Sequence, residues 1–129
     1  MNERASTFLM FEGRAEEALA LYRTAFPAAE VGAVQRHGDG PAQGQILRAE
    51  LTIAGHALAL FDSPAHHAFT FTPSVSLFID CADEAALDQR FALLSAGGGV
   101  LMAPASYGFS RKFTWIQDRF GVSWQLNLP

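Results

Sequence analysis

The chain repeats itself. Leu9-Met10-Phe11-Glu12-Gly13-Arg14-Ala15-Glu16-Glu17-Ala18-Leu19 lies without a gap over Leu77-Phe78-Ile79-Asp80-Cys81-Ala82-Asp83-Glu84-Ala85-Ala86-Leu87. Near the ends of the two halves, Gly55-His56-Ala57-Leu58-Ala59-Leu60 lies over Gly121-Val122-Ser123-Trp124-Gln125-Leu126. Matches at both ends of each half require one structural unit made twice. In each half the pattern reads strand, helix, then three strands. Such a βαβββ unit covers one sheet face with its own helix and leaves the other face open. Two units that meet would form a curved mixed sheet lining a cup, with the helices outside. The expected class is therefore α+β, a single domain over 1–129 with units at about 5–62 and 74–128.

Local signals place the elements. Ser6–Phe11 reads as a strand, and Ala15–Phe26 as a helix that is apolar on one face, acidic in its first turn and stopped by Pro27. Ala28–Arg36, Ile46–Ile53 and His56–Phe61 read as strands, with a glycine-rich loop at His37–Gly44 and a tight turn at Ala54-Gly55. Asp62–Pro73 lacks periodicity and reads as the linker between halves. Ser74–Asp80 is then a strand, Asp83–Ser95 a helix with Ala86, Leu87, Phe91 and Leu94 inward, and Val100–Ala103 a short strand. Phe113–Pro129 closes the chain as a hairpin around Asp118-Arg119-Phe120-Gly121. On its second strand Val122, Trp124, Leu126 and Leu128 share one face, and Ser123, Gln125 and Asn127 the other.

Bulk properties narrow the partners. A net charge of −4 and no basic run argue against nucleic acid or an anionic membrane. No apolar run is long enough to cross a bilayer and no signal-peptide pattern is seen. Cys81 is the only cysteine, so no intrachain disulfide can form and a reducing, cytoplasmic setting is expected.

FEGRAEEALALYRTAF near the start, AELTIAGHALALFD at mid-chain and WIQDRFGVSWQL at the end resemble the PhnB-like family, labelled 3-demethylubiquinone-9 3-methyltransferase. That family lies within the vicinal oxygen chelate superfamily of glyoxalase I, extradiol dioxygenases and bleomycin-resistance proteins. The resemblance implies the glyoxalase/bleomycin-resistance-like fold and, by superfamily habit, a homodimer. It also implies metal-ligand positions on the first and last strands of each unit. Here these fall at about Thr7, within Ser74-Val75-Ser76, and at Ala59 and Gln125. None is His, Asp or Glu, so no metal and no other cofactor is expected. Nothing matches the strand, glycine-rich loop and helix that hold S-adenosylmethionine, because Gly97–Gly99 follow a helix.

The expected function is metal-free binding of a small molecule. The alternative is an isomerase, lyase or dioxygenase, with displaced metal ligands or with Glu50 or Tyr107 as its working group. Ligand-binding positions are expected at Thr7, Phe11, Glu50, Asp62, Tyr107, Trp115, Ser123, Gln125 and Asn127. Glu50 shares a strand face with Arg48 and Thr52. It is either a buried general base or a structural, Arg48-paired carboxylate, with the second reading stronger. Asp62 either meets a ligand or ends its strand as an Asx-type turn. The loop Tyr107-Gly108-Phe109-Ser110 could close over a ligand. His37, His56, His66 and His67 read as loop or turn residues, and Cys81 as a small buried residue before a helix.

Overall fold

The structure, a computed structural model, describes residues 2–129. Two compact units divide between His67 and Ala68, inside the stretch expected to link the halves. The first holds β1 (Thr7–Phe11), α1 (Ala15–Ala25), β2 (Glu30–Arg36), β3 (Ile46–Ile53) and β4 (His56–Asp62). The second holds β5 (Ser76–Asp80), α2 (Glu84–Ser95), β6 (Gly99–Ala105), β7 (Lys112–Gln117) and β8 (Ser123–Leu128). Each unit is βαβββ, as the repeat requires. Each has its own four-stranded sheet, in the orders β1-β4-β3-β2 and β5-β8-β7-β6. The first pair in each is parallel and the others antiparallel, so both sheets are mixed.

One face of each sheet is sealed by that unit's helix. In the first unit α1 buries Ala15, Ala18, Leu19, Tyr22 and Ala25 against β3 and β4. The strands answer with Ala49, Leu51, Leu58 and Leu60, all nearly inaccessible. Alternation then leaves Arg48, Glu50 and Thr52 on the other face. In the second unit α2 buries Leu87 and Leu94, while Ala86 and Phe91 are only half-buried, a narrower stripe than expected. Beneath it lie Trp124, Leu126, Ile116 and Thr114, each fully buried.

Two buried carboxylates brace these units. Asp62, 1% exposed, stands at the end of β4. Its Oδ1 accepts from the Gly13 and Ala15 backbone N–H groups at 2.8 and 3.0 Å, and its Oδ2 from Ile46 N–H at 3.1 Å. Arg14 at the N-cap of α1 offers no side-chain cap. Asp62 supplies one from another strand and ties the β1–α1 corner to the start of β3. Asp118, 2% exposed, accepts from Phe120 and Val122 N–H through Oδ1 and from the Trp124 indole N–H through Oδ2. The DRFG turn, with Gly121 at φ 95°, is thus wrapped around its own aspartate.

Some boundaries differ from those read in the sequence. β5 begins at Ser76, two residues after Ser74, because Thr72 and Ser74 form a side-chain-braced turn. β6 extends through Pro104 to Ala105, with register breaks after Val100 and Met102. It is an edge strand, where a missing N–H is tolerated. Gly98 lets the turn after α2 approach the end of β7, and a Cβ there would collide with the Gln117 carbonyl oxygen and lie 2.7 Å from the Asp118 carbonyl carbon.

Two substitutions test this account. Asp62→Ala leaves the Gly13 N–H and the buried Ala15 and Ile46 N–H groups without this acceptor and should lower unfolding stability in urea by about 3 kcal/mol or more. Gly98→Ala should cost about 1–3 kcal/mol by overpacking against backbone. A stability change within error for either would refute the corresponding role.

Candidate functional site

The sheet face opposite α2 carries three aligned rows. Ser76, Phe78 and Asp80 of β5 pair with Ser123, Gln125 and Asn127 of β8, which pair in turn with Gln117, Trp115 and Phe113 of β7. Register partners point to the same side, so these residues form one continuous surface. Four of them are joined by hydrogen bonds. The Trp115 indole N–H donates to Ser123 Oγ at 2.8 Å. Ser123 and Ser76 hydroxyls are 2.7 Å apart, and Gln125 Nε2 donates to Ser76 Oγ at 3.2 Å. Next along β8, Asn127 Nδ2 donates to Asp80 Oδ1 at 2.9 Å. The Oδ1 of Asn127 is buried and has no partner among the described residues. An unmet buried acceptor costs about 1–3 kcal/mol.

Aromatic rings lie at the Asn127 end. Phe113 contacts Phe109, Tyr107 and Phe78, with ring centroids 5.0, 6.2 and 6.4 Å away. Phe78, Tyr107 and Phe109 are exposed while Phe113 is buried. The loop is braced by Tyr107 Oη donating to the Ala103 carbonyl and Ser106 Oγ to that of Ser110. Tyr107, Trp115, Ser123, Gln125 and Asn127 are therefore gathered in one unit around one sheet face.

The positions expected in the first unit are arranged differently. Thr7, Phe11 and Asp62 lie on the α1 side of their sheet, because Thr7 pairs with Leu58 and Phe11 with Asp62, whose carboxylate meets the helix start. Thr7 Oγ1 is hydrogen-bonded to His56 Nε2 at 2.8 Å, and Asp62 is fully used by backbone. Strand parity thus turns these three expected ligand-binding positions toward α1, away from the open face. Glu50 does lie on the open face. It is 48% exposed with Arg48 Nε 3.8 Å away, which is the structural alternative and not a buried base. Arg4, Ser6, Arg48, Glu50 and Thr52 line a cleft of about 290 Å³ there.

Two residues gain a place that sequence reasoning blurred. Across the sheet, the last-strand positions Ala59 and Gln125 pair with Phe8 and Phe78, not with Thr7 or the Ser74–Ser76 stretch. Phe8 and Phe78 are 55% and 53% exposed. The gapless sequence match puts Leu9 over Leu77, whereas sheet register sets Leu9 opposite Leu60 and Ile79 opposite Leu126. The first strands are thus offset by two residues, which the sequence match conceals.

The histidines are tied down locally. His37 Nε2 donates to the Asp62 carbonyl, His66 Nδ1 meets Glu12, and His67 Nε2 meets Ser63 Oγ, all within 2.8 Å. The His66 hydrogen bond holds the Glu12 carboxyl below its ordinary value. Burial pushes the Cys81 thiol up, in a site 4% exposed.

The sequence profile of the 3-demethylubiquinone-9 3-methyltransferase family matches residues 3–127. The chain belongs to this PhnB-like family, and with it to the vicinal oxygen chelate superfamily. Among solved structures, a PhnB protein of Bacillus cereus that carries the same methyltransferase name is 42% identical, at TM-score 0.92, covering 98% of this chain and 100% of that one. A protein of Pseudomonas aeruginosa is 26% identical at TM-score 0.86, covering 98% of both chains. The fosfomycin resistance protein FosX of Listeria monocytogenes, in complex with Mn(II) and a dihydroxypropylphosphonic acid, is 12% identical at TM-score 0.66, covering 100% of this chain and 94% of that one. That last likeness shows the fold alone. No protein of curated function matches the sequence.

Neither group that the family names imply fits the residues of this PhnB-like chain. Among the described residues no three His, Cys, Asp or Glu side chains are grouped to hold a metal. Ala59, Gln125 and the Phe8 and Phe78 opposite them offer one amide oxygen between them. For S-adenosylmethionine, the starts of both helices are already satisfied internally, by Asp62 and by Asp83, whose carboxylate accepts from Ala86 N–H. Gly98 is filled by the backbone beside it. With its thiol held protonated, Cys81 should react with Ellman's reagent at pH 8 only at the rate of unfolding, and promptly in denaturant. Prompt labelling of the native protein would show that the site opens.

Proposed function

We propose that this protein binds a small molecule without a metal, on the open face of the β5-β8-β7-β6 sheet. The observation that carries the reading is the neutral network Trp115–Ser123–Ser76–Gln125 at a position where metal-using relatives place a ligand. An amide there adds no charge beside the Asp80 carboxylate at the edge of the face, and ordered side chains are presented without reorganisation. Phe78, Tyr107, Phe109 and Phe113 supply apolar contact beside it. The family's methyltransferase name is not adopted, because neither helix start is free for the cofactor. Glu50, with Arg48 beside it in the 290 Å³ cleft of the first unit, is assigned at most a secondary contact.

A homodimer forms part of the proposal, since the exposed Phe8 and Phe78 are apolar surface that a second copy would cover. A reducing, cytoplasmic setting suits a chain whose single cysteine is buried. No helix among the described residues is long and apolar enough to cross a membrane.

Metal analysis of protein purified without chelator should find substoichiometric zinc, nickel and manganese. A small-molecule thermal-shift screen should yield ligands that add about 3 kcal/mol at a hundredfold excess over Kd, roughly 10 °C in Tm, and that fail on Gln125→Ala. Stoichiometric metal in the unaltered protein would replace this reading with the displaced-ligand enzyme.

A further inference from the structure

Side-chain size builds the cleft of the first unit. On its open face β4 carries alanine at 57 and 59, beside Thr52 and Glu50 of β3. Ala57 makes a low floor. Arg48, Glu50 and Thr52 stand on one side of it, and the Arg4–Ser6 segment that leads into β1 on the other. The volume of about 290 Å³ lies near the low end of small-molecule sites, roughly 300–1,000 Å³. The polar groups here are not spent on the scaffold. Among the described residues, the side chains of Arg4, Ser6, Arg48, Glu50 and Thr52 make no hydrogen bond. Arg48 and Glu50 approach only to 3.8 Å, too long for one. Elsewhere in the unit a matched pair closes fully, with Arg36 giving both terminal nitrogens to the Glu16 carboxylate at 2.9 and 2.8 Å. Gly32 of β2 makes room for the looser arrangement. Glu50 lies over it so closely that a Cβ there would be 2.9 Å from Oε2 and 3.2 Å from the Glu50 Cβ. The carboxylate is thus turned toward β2, and the Arg48 guanidinium keeps its donors.

We infer that this cleft is an anion site, taking a small organic acid whose carboxylate or phosphate oxygens are held by Arg4 and Arg48. Two guanidinium groups against one carboxylate leave the lining a surplus of one positive charge. Glu30, the register partner of Thr52 on β2, does not line it. A guanidinium presents its donors in a planar fork that matches such oxyanions. The Ser6 and Thr52 hydroxyls supply further donors for the remaining lone pairs. Glu50 is a positioning residue for Arg48 and not itself a contact. The cleft belongs wholly to the first unit, and the inference does not rest on the binding function proposed for the second.

The test uses the full chain and three probes of similar shape at low ionic strength: benzoate, phenyl phosphate and their neutral counterpart benzamide. Binding is followed by NMR of the backbone amide signals of Ser6, Arg48, Glu50, Thr52 and Ala57. At least one of the two anions should shift these signals and bind about tenfold or more tightly than benzamide. The tighter of the two names the head group. Arg4→Gln and Arg48→Gln should each weaken that anion about tenfold, the loss expected for a charge-assisted hydrogen bond. Glu50→Gln should tighten it, because a like charge leaves the lining. Arg23→Gln, at an exposed arginine of α1, should change nothing. Unshifted signals remote from the cleft identify variants that have kept their fold. Binding of benzamide as tight as that of both anions overturns the site, as does weaker anion binding in Glu50→Gln. An equal loss in Arg23→Gln shows an adventitious ion only and overturns it too. So does the absence of any shift at these amides with either anion at millimolar concentration.

Discussion

Asp118 decides which way the last strand faces. Its one carboxylate closes the DRFG turn on two backbone N–H groups and holds the Trp124 indole from below. With Trp124 fixed toward α2, alternation leaves Ser123, Gln125 and Asn127 no side but the open one. The polar row, its pairing with β5 and its reach to Trp115 all follow from that anchoring. Asp62 plays a matching part in the first unit, where it caps a helix whose own N-cap residue cannot. Both are carboxylates in an apolar setting, and both are spent on the scaffold.

The two units share a backbone plan and have parted in chemistry. Taking the hairpin turns as common points, Ala59 corresponds to Gln125, Glu50 to Trp115 and Arg48 to Phe113. The open face of the first unit is charged and carries alanine where the second has its amide. The open face of the second is amide-rich and aromatic, with Asp80 as the carboxylate at its end. A duplicated unit needs only one of its two faces to specialise, and the sealed face must stay apolar in both. The residues that differ most between the copies are accordingly the ones pointing away from the helices.

Much of this was legible from the sequence because it rests on periodicity and turn chemistry. The βαβββ repeat, both helices, the last hairpin and the sidedness of Ser123, Gln125 and Asn127 can each be read from spacing alone. Thr7 and Phe11 could not be placed this way. Parallel pairing between distant strands sets their parity, and no local signal encodes the register of a crossover. Asp62 was ambiguous for a related reason: its three donors lie on three separate segments, which only the fold brings together. Glu50 turned on whether its face is buried, which depends on packing. Ser76 entered the network because β5 is shifted relative to the sequence match.

That shift carries a lesson about how such chains change length. The corner between the first strand and its helix differs between the copies by two residues of register, and both copies still keep Phe8 and Phe78 outward and Leu9 and Ile79 inward. A slide of one would have turned either strand over, and in β5 it would have set Ser76 and Asp80 against the helix. Strand geometry thus acts as a parity filter on insertions and deletions. The two-residue offset at this corner is an even step, and each first strand keeps its inward face inward.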